Sequence, residues 1–290
     1  MKFGTDQKKA TPTTAAGIAV DAEASILPLL RTGQADDYIL ELRWSPCGRQ
    51  LAALPSTGAP QILNLDGDGI SLPAHTPGNG SLAWNPDGRQ LATFGQDGRL
   101  RVHTLATETD AASTRELPLP RGWAERIAWS ADGSRIAAAV GRGVHIITAA
   151  TLELETCIEN SGATVCDLVW HPERPDEFAT ASNGGARLWK LGQTAPIEAL
   201  DDGVAALCIT WSPDGRWVVT GDHTPSVHLH DRERPDPLHI QGFEKKVKCF
   251  AWQTAGAEQL PWLAVGGGSL ITVWPCFGPE GPRGASPINL

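Results

Sequence analysis

A chain of 290 residues with 24 Lys and Arg against 33 Asp and Glu carries a net charge of −9, which disfavours nonspecific nucleic-acid binding. Its apolar runs fall far short of the roughly 18–20 residues that span a bilayer, and Lys2, Lys8 and Lys9 lead into a Thr/Ala stretch rather than a secretory core. Six Cys without close pairing point to free thiols in a reducing compartment, so a cytoplasmic location is expected.

In chain order, residues 1–16 are polar and unpatterned and read as a mobile tail ahead of one domain over 17–290. Gly17–Val20 and Ile26–Leu30 are short apolar runs of strand character. Six Trp then set a period: Trp44, Trp84, Trp129, Trp170, Trp211 and Trp252, at intervals of 40, 45, 41, 41 and 41. Trp44-Ser-Pro-Cys-Gly48, Trp84-Asn-Pro-Asp-Gly88, Trp129-Ser-Ala-Asp-Gly133 and Trp211-Ser-Pro-Asp-Gly215 are copies of one phrase, with looser versions after Trp170 and Trp252. Pro pre-sets φ, Asp and Asn tolerate turn geometry and Gly accepts positive φ, so the phrase is a tight turn between strands.

An apolar strand precedes each of these Trp, as in Ile39–Leu42, and another follows each turn, as in Leu51–Leu54, Leu91–Phe94, Ile136–Ala139, Phe178–Ala181, Val218–Thr220 and Leu263–Val265. A third strand follows a Gly-rich turn, for example Leu100–His103, and a fourth, more polar one comes next, as in Glu116–Leu119. Four short strands every 40–45 residues, without a helical period, predict the blades of a β-propeller in an all-β chain.

These turns, with Trp189 and Trp274 in third strands, resemble the WD-repeat β-propeller family over roughly residues 26–290. No Gly-His or Trp-Asp dipeptide occurs, and His103 and His230 stand where Trp stands in two other blades. The His–Ser/Thr–Asp–Trp network of the family is therefore expected to be mostly absent, leaving stability to the six Trp as structural anchors. By the family's strand sharing, six blades are visible, and Ser286–Leu290 forms the outer strand of the sixth. Ile26–Leu30 is then left over, and the next anchor is due near position 293. The expectation is a seven-blade design with its last blade incomplete at the C-terminus; a closed six-blade ring is the alternative.

The other constellations favour structural readings. Asn64-Leu-Asp66-Gly-Asp68-Gly69 has a calcium-loop start but puts His75 where Glu is required. Gly266-Gly-Gly268 lacks the Lys-Ser/Thr of a phosphate loop. His228 and His230 share a strand face, yet no third ligand lies at fixed spacing. Cys208 and Cys249 fall three residues before their anchors, where propeller strands line the channel, and Cys166 falls one residue out of phase. No nucleophile–base–acid set assembles, and neither a cofactor nor a metal is called for.

The resemblance implies a non-enzymatic protein-interaction scaffold or assembly factor, binding protein partners and no membrane. A propeller enzyme or small-ligand binder using the channel is the alternative, and a piece of a larger regulator a third reading. On the family's loop arrangement, one end of the ring would present Tyr38, Trp123, Arg142, His223, Phe243, Lys245 and Lys246, aromatic and basic types suited to partner contact. The competing view is that Trp123 and Phe243 fold back over blade edges and that the Lys cluster is a solvated face.

Overall fold

The Trp-bearing phrase becomes a strand, a tight turn and a second strand in the computed structural model. It describes residues 33–35, 37–106, 111–120, 122, 124–159, 163–200, 204–234, 236–253, 261–269, 271–276, 282 and 288–289. The tail 1–16 and the runs 17–20 and 26–30 lie outside these, and the blades belong to the unit Ala35–Leu290.

Blade one is β1 (Ile39–Trp44), β2 (Gln50–Pro55), β3 (Gln61–Asn64) and β4 (Ile70–Ser71). Blade two is β5 (Asn79–Trp84), β6 (Gln90–Gly95), β7 (Arg99–Thr104) and β8 (Ser113–Pro118). Blade three is β9 (Ala124–Trp129), β10 (Arg135–Val140), β11 (Gly143–Thr148) and β12 (Glu153–Glu159). Blade four is β13 (Val165–Trp170), β14 (Glu177–Ser182), β15 (Gly185–Lys190) and β16 (Glu198–Leu200). Blade five is β17 (Ala206–Trp211), β18 (Trp217–Asp222), β19 (Ser226–Asp231) and β20 (Leu238–Gln241). Blade six is β21 (Cys249–Trp252), β22 (Trp262–Gly266), β23 (Ile271–Pro275) and β24 (Ile288–Asn289). Each is an antiparallel four-stranded sheet in chain order, and the six are arranged in a ring as a β-propeller. No helix occurs among the described residues, so none there is long and apolar enough to cross a membrane.

The turns explain themselves. Gly48, Gly88, Gly133 and Gly215 sit at φ +70°, +72°, +71° and +68°, where a Cβ is strained. Their amides donate to the carbonyls of Ser45, Asn85, Ser130 and Ser212, the residues just after the Trp.

Side chains alternate across each sheet, and the two faces differ. In blade two, Leu82, Trp84 and Leu91 pack on blade one, while the smaller Ala92 and Val102 pack on blade three. A hydrogen bond accompanies this packing. The indoles of Trp84, Trp129 and Trp170 donate to the carbonyls of Arg43, Ala83 and Ala128 in the preceding blade, at 3.0, 3.1 and 3.1 Å. Trp211 and Trp252 bury their indole nitrogens without such an acceptor.

The outer flanks of the series are bare. Leu42 and Trp44 are 54% and 55% exposed, against 1% and 9% for their counterparts Leu82 and Trp84. On blade six the opposite wall, Ala251, Ala264, Val273 and Ile288, borders an open apolar hollow of about 430 Å³. Inner strands of successive blades pack on one another from β1 to β21, most closely between β5 and β9 and most sparsely between β17 and β21.

One blade departs from the expected loss of the family's polar network. Blade two contains a full polar network, with His103 in the Trp position. His75 Nδ1 meets Asp97 Oδ1 at 2.9 Å, and its Nε2 meets Thr93 Oγ1 at 2.9 Å. Thr93 Oγ1 in turn meets His103 Nε2 at 3.0 Å, and His103 Nδ1 meets Thr114 Oγ1 at 3.0 Å. An imidazole offers a donor at Nε2 as an indole does at Nε1, so His substitutes for Trp without breaking the chain. A Cβ on Gly95 would come within 2.2 Å of the His75 Cβ, so glycine is what lets His75 lie flat on β6. Blade four keeps the family's Trp form, Trp189 Nε1 donating to Thr180 Oγ1 at 2.9 Å.

Candidate functional site

Two places gather functional side chains: the channel wall and the loop end. The residue three positions before each anchor, Glu41, Ser81, Arg126, Asp167, Cys208 and Cys249, lies on an inner strand, and most of these line a channel of about 580 Å³. Arg126 Nε donates to Asp167 Oδ1 at 2.6 Å and its Nη1 to Glu41. Glu41 Oε2 accepts the Leu82 amide at 3.0 Å and the Ser81 hydroxyl at 3.1 Å. Ser81 Oγ accepts the Ile127 amide at 3.2 Å, and Asp167 Oδ2 accepts the Ile209 amide at 3.0 Å. Each contact joins different blades, so the cluster braces blades one to five across the channel.

Its electrostatics are settled internally. Burial opposes ionisation of Glu41, but Arg126, Arg43 and the Leu82 amide carry its pKa below the ordinary value. Burial likewise works against the Arg126 charge, and Asp167 with Glu41 more than offsets it, raising that pKa. Burial first, then the Asp167 charge, pushes the Cys208 thiol up, so it is no thiolate nucleophile. Cys249 lines the channel with Cys208 and Cys166 does not, in line with its phase. All six cysteines are free thiols.

At the loop end, His223, Lys245 and Lys246 come together around one hollow of about 730 Å³, with Lys248 and Ser269. The chain between β20 and β21 folds over the turn between β22 and β23: Lys245 N donates to Gly267 O at 3.1 Å, and Glu244 accepts the Ser269 amide and hydroxyl at 3.1 and 2.9 Å. Phe243 turns inward and packs against the core shared by blades five and six. Tyr38 is 74% exposed just before β1, and Arg142 is exposed in the turn between β10 and β11. Trp123 lies outside the described residues.

The remaining motifs have structural partners. Asn64 donates to the Asp68 carbonyl and Asp66 pairs with Arg49 at 2.5 Å, a turn between β3 and β4. His228 stacks on His239 with ring centroids 4.2 Å apart, and its Nε2 lies 3.5 Å from Asp222. Among the described residues, no group of three His, Cys, Asp or Glu is placed to hold a metal.

Sequence reasoning missed the Glu41–Arg126–Asp167 brace. The signal was available in its spacing, since all three stand at the same distance before an anchor Trp.

The WD40 family (WD domain, G-beta repeat) matches residues 70–104 and 197–231, parts of blades one, two, four and five. These two stretches are similar to WD repeats, and they lie in a β-propeller. THO complex subunit 3 of Arabidopsis thaliana is 27% identical over 140 residues, 45% of this chain and 43% of that protein. WD repeat-containing protein 70 of Xenopus tropicalis is 28% identical over 135 residues, 44% of this chain and 20% of that protein. Anaphase-promoting complex subunit 4 of Homo sapiens is 30% identical over 99 residues, 31% of this chain and 12% of that protein. The matched stretches thus span less than half of these relatives.

Proposed function

We propose that this WD-repeat chain is a non-enzymatic protein-interaction scaffold that binds a protein partner at its loop end. The observation that carries the reading is the convergence of His223, Lys245, Lys246 and Lys248 on one hollow, on an otherwise acidic chain. A local basic surface of this kind suits an acidic partner segment. Two of the relatives are named as subunits of complexes, which supports an assembly role. Against a channel enzyme stands Arg126, whose guanidinium is already engaged by two carboxylates. The six free thiols fit the cytoplasm.

Affinity capture with the full chain and with Lys245→Glu/Lys246→Glu tests the proposal. The expected result is at least a tenfold loss of the captured partner by the charge-reversed variant. Equal capture by both would remove the loop end from consideration.

A further inference from the structure

We propose that Glu244 is an internal stand-in for a side-chain carboxylate of the partner, and that an Asp- or Glu-bearing segment binds the loop end by taking its place on Ser269. This deepens the loop-end reading and rests on it.

The connection between β20 and β21 is pinned at two points. Phe243 and Val247 both turn into the core shared by blades five and six, Val247 completely. The three residues between them, Glu244, Lys245 and Lys246, are exposed. They lie against the turn between β22 and β23, where glycine permits the approach. A Cβ on Gly267 would stand 2.9 Å from Val247 Cγ2 and 3.2 Å from the Lys245 carbonyl oxygen. One on Gly268, at φ +137°, would stand 2.8 Å from both Cβ and Oε2 of Glu244. Gly266-Gly-Gly268 thus serves the close pass of this connection and brings Ser269 beside Glu244.

The turn already binds a carboxylate. Glu244 Oε2 accepts the Ser269 amide at 3.1 Å and the Ser269 hydroxyl at 2.9 Å. These two donors, helped by the Lys245 charge, hold the Glu244 pKa below the ordinary carboxylate value. Both residues are exposed, so the contact is worth little net and an incoming carboxylate can exchange with it.

Charge around this contact is unbalanced. Elsewhere cations are matched: Arg135 meets Glu155, Lys190 meets Asp176 and Glu177, and Arg216 meets Asp231. Lys245, Lys246 and Lys248 form no ion pair among the described residues, and His223 lines the same hollow of about 730 Å³. One carboxylate, Glu244, does not answer three lysines. A segment with several carboxylates meets them together and displaces Glu244 from Ser269. A nucleic acid fits less well, because its bases stack on exposed aromatic faces and Phe243 is turned inward.

The test uses the full chain and a fluorescein-labelled octaglutamate peptide, read by fluorescence anisotropy at low salt. Lys245→Glu/Lys246→Glu should weaken binding at least tenfold. Glu244→Ala should tighten it about threefold by freeing the Ser269 donors. Glu153→Ala, which removes the same charge from an exposed site on blade three, should leave it unchanged. Ser269→Ala should weaken binding in the Glu244→Ala background and not in the natural one, where it deprives Glu244 and the peptide alike. The Ser269 amide resonance should move on Glu244→Ala and return when the peptide is added. Binding lost with the lysine reversals, but with no tightening by Glu244→Ala or an equal Ser269→Ala effect in both backgrounds, overturns this inference and upholds loop-end binding. The same holds where Glu153→Ala matches Glu244→Ala. Binding that survives the lysine reversals overturns both, and tighter binding of octathymidylate at the loop end overturns the carboxylate assignment.

Discussion

Blades one and two carry the same phrase in the same register, yet their leading faces live in different surroundings. Leu82 and Trp84 are buried against blade one, and the Trp84 indole reaches the Arg43 carbonyl. Leu42 and Trp44 occupy the identical positions and face solvent. The motif therefore forms the strand–turn–strand unit by itself, while its contribution to stability depends on whether a neighbour is present. Burial, not the motif, decides what a given Trp is worth.

The sharpest way to break the comparison is Trp170→Ala, at a fully packed interface with its indole on the Ala128 carbonyl. It should cost about 3–5 kcal/mol in urea denaturation. Asp167→Ala removes one carboxylate of the channel brace and leaves the Ile209 amide unaccepted; a loss of about 3 kcal/mol is expected in the same assay.

Acid should act through blade two. Burial, reinforced by the neighbouring His75 and Arg101, lowers the His103 pKa to about 4. The unfolded chain, with a His pKa near 6.5, thus binds more protons between these values. Stability from this group is complete above about pH 6.5 and declines as pH falls towards 4, by at most about 3 kcal/mol. His103→Gln should flatten that part of the stability–pH curve, measured as urea midpoints at pH 7 and 4.5. The smallest effect belongs to Trp44→Ala, about 1 kcal/mol, since half of the side chain is already in water. A loss like that of Trp170→Ala would mean that the two flanks are equivalent in solution.

The Trp period and its turns disclosed the blades and their boundaries to within a residue or two, because both depend on local turn chemistry and alternation. That His223, Lys245 and Lys246 lie at one end was an expectation from the resemblance's loop arrangement, and the three line one hollow. For Phe243 the sequence left two readings, exposed or folded back, and the inward turn follows from the close pass of the β20–β21 connection over Gly267. The His75–Asp97–Thr93–His103 network escaped notice because its members lie up to 28 residues apart and use His where the family uses Trp. Exposure of Trp44 depends on a neighbour, which no local pattern encodes.

The three indole stitches all point one way, blades two, three and four each leaning on the one before. With two bare flanks, the six blades have a head and a tail, and cooperativity passes mainly between nearest neighbours, apart from the Arg126–Glu41 pair that joins blades three and one. Such an array frays from its ends. Amide hydrogen exchange should therefore be fastest in blades one and six and slowest in blades three and four.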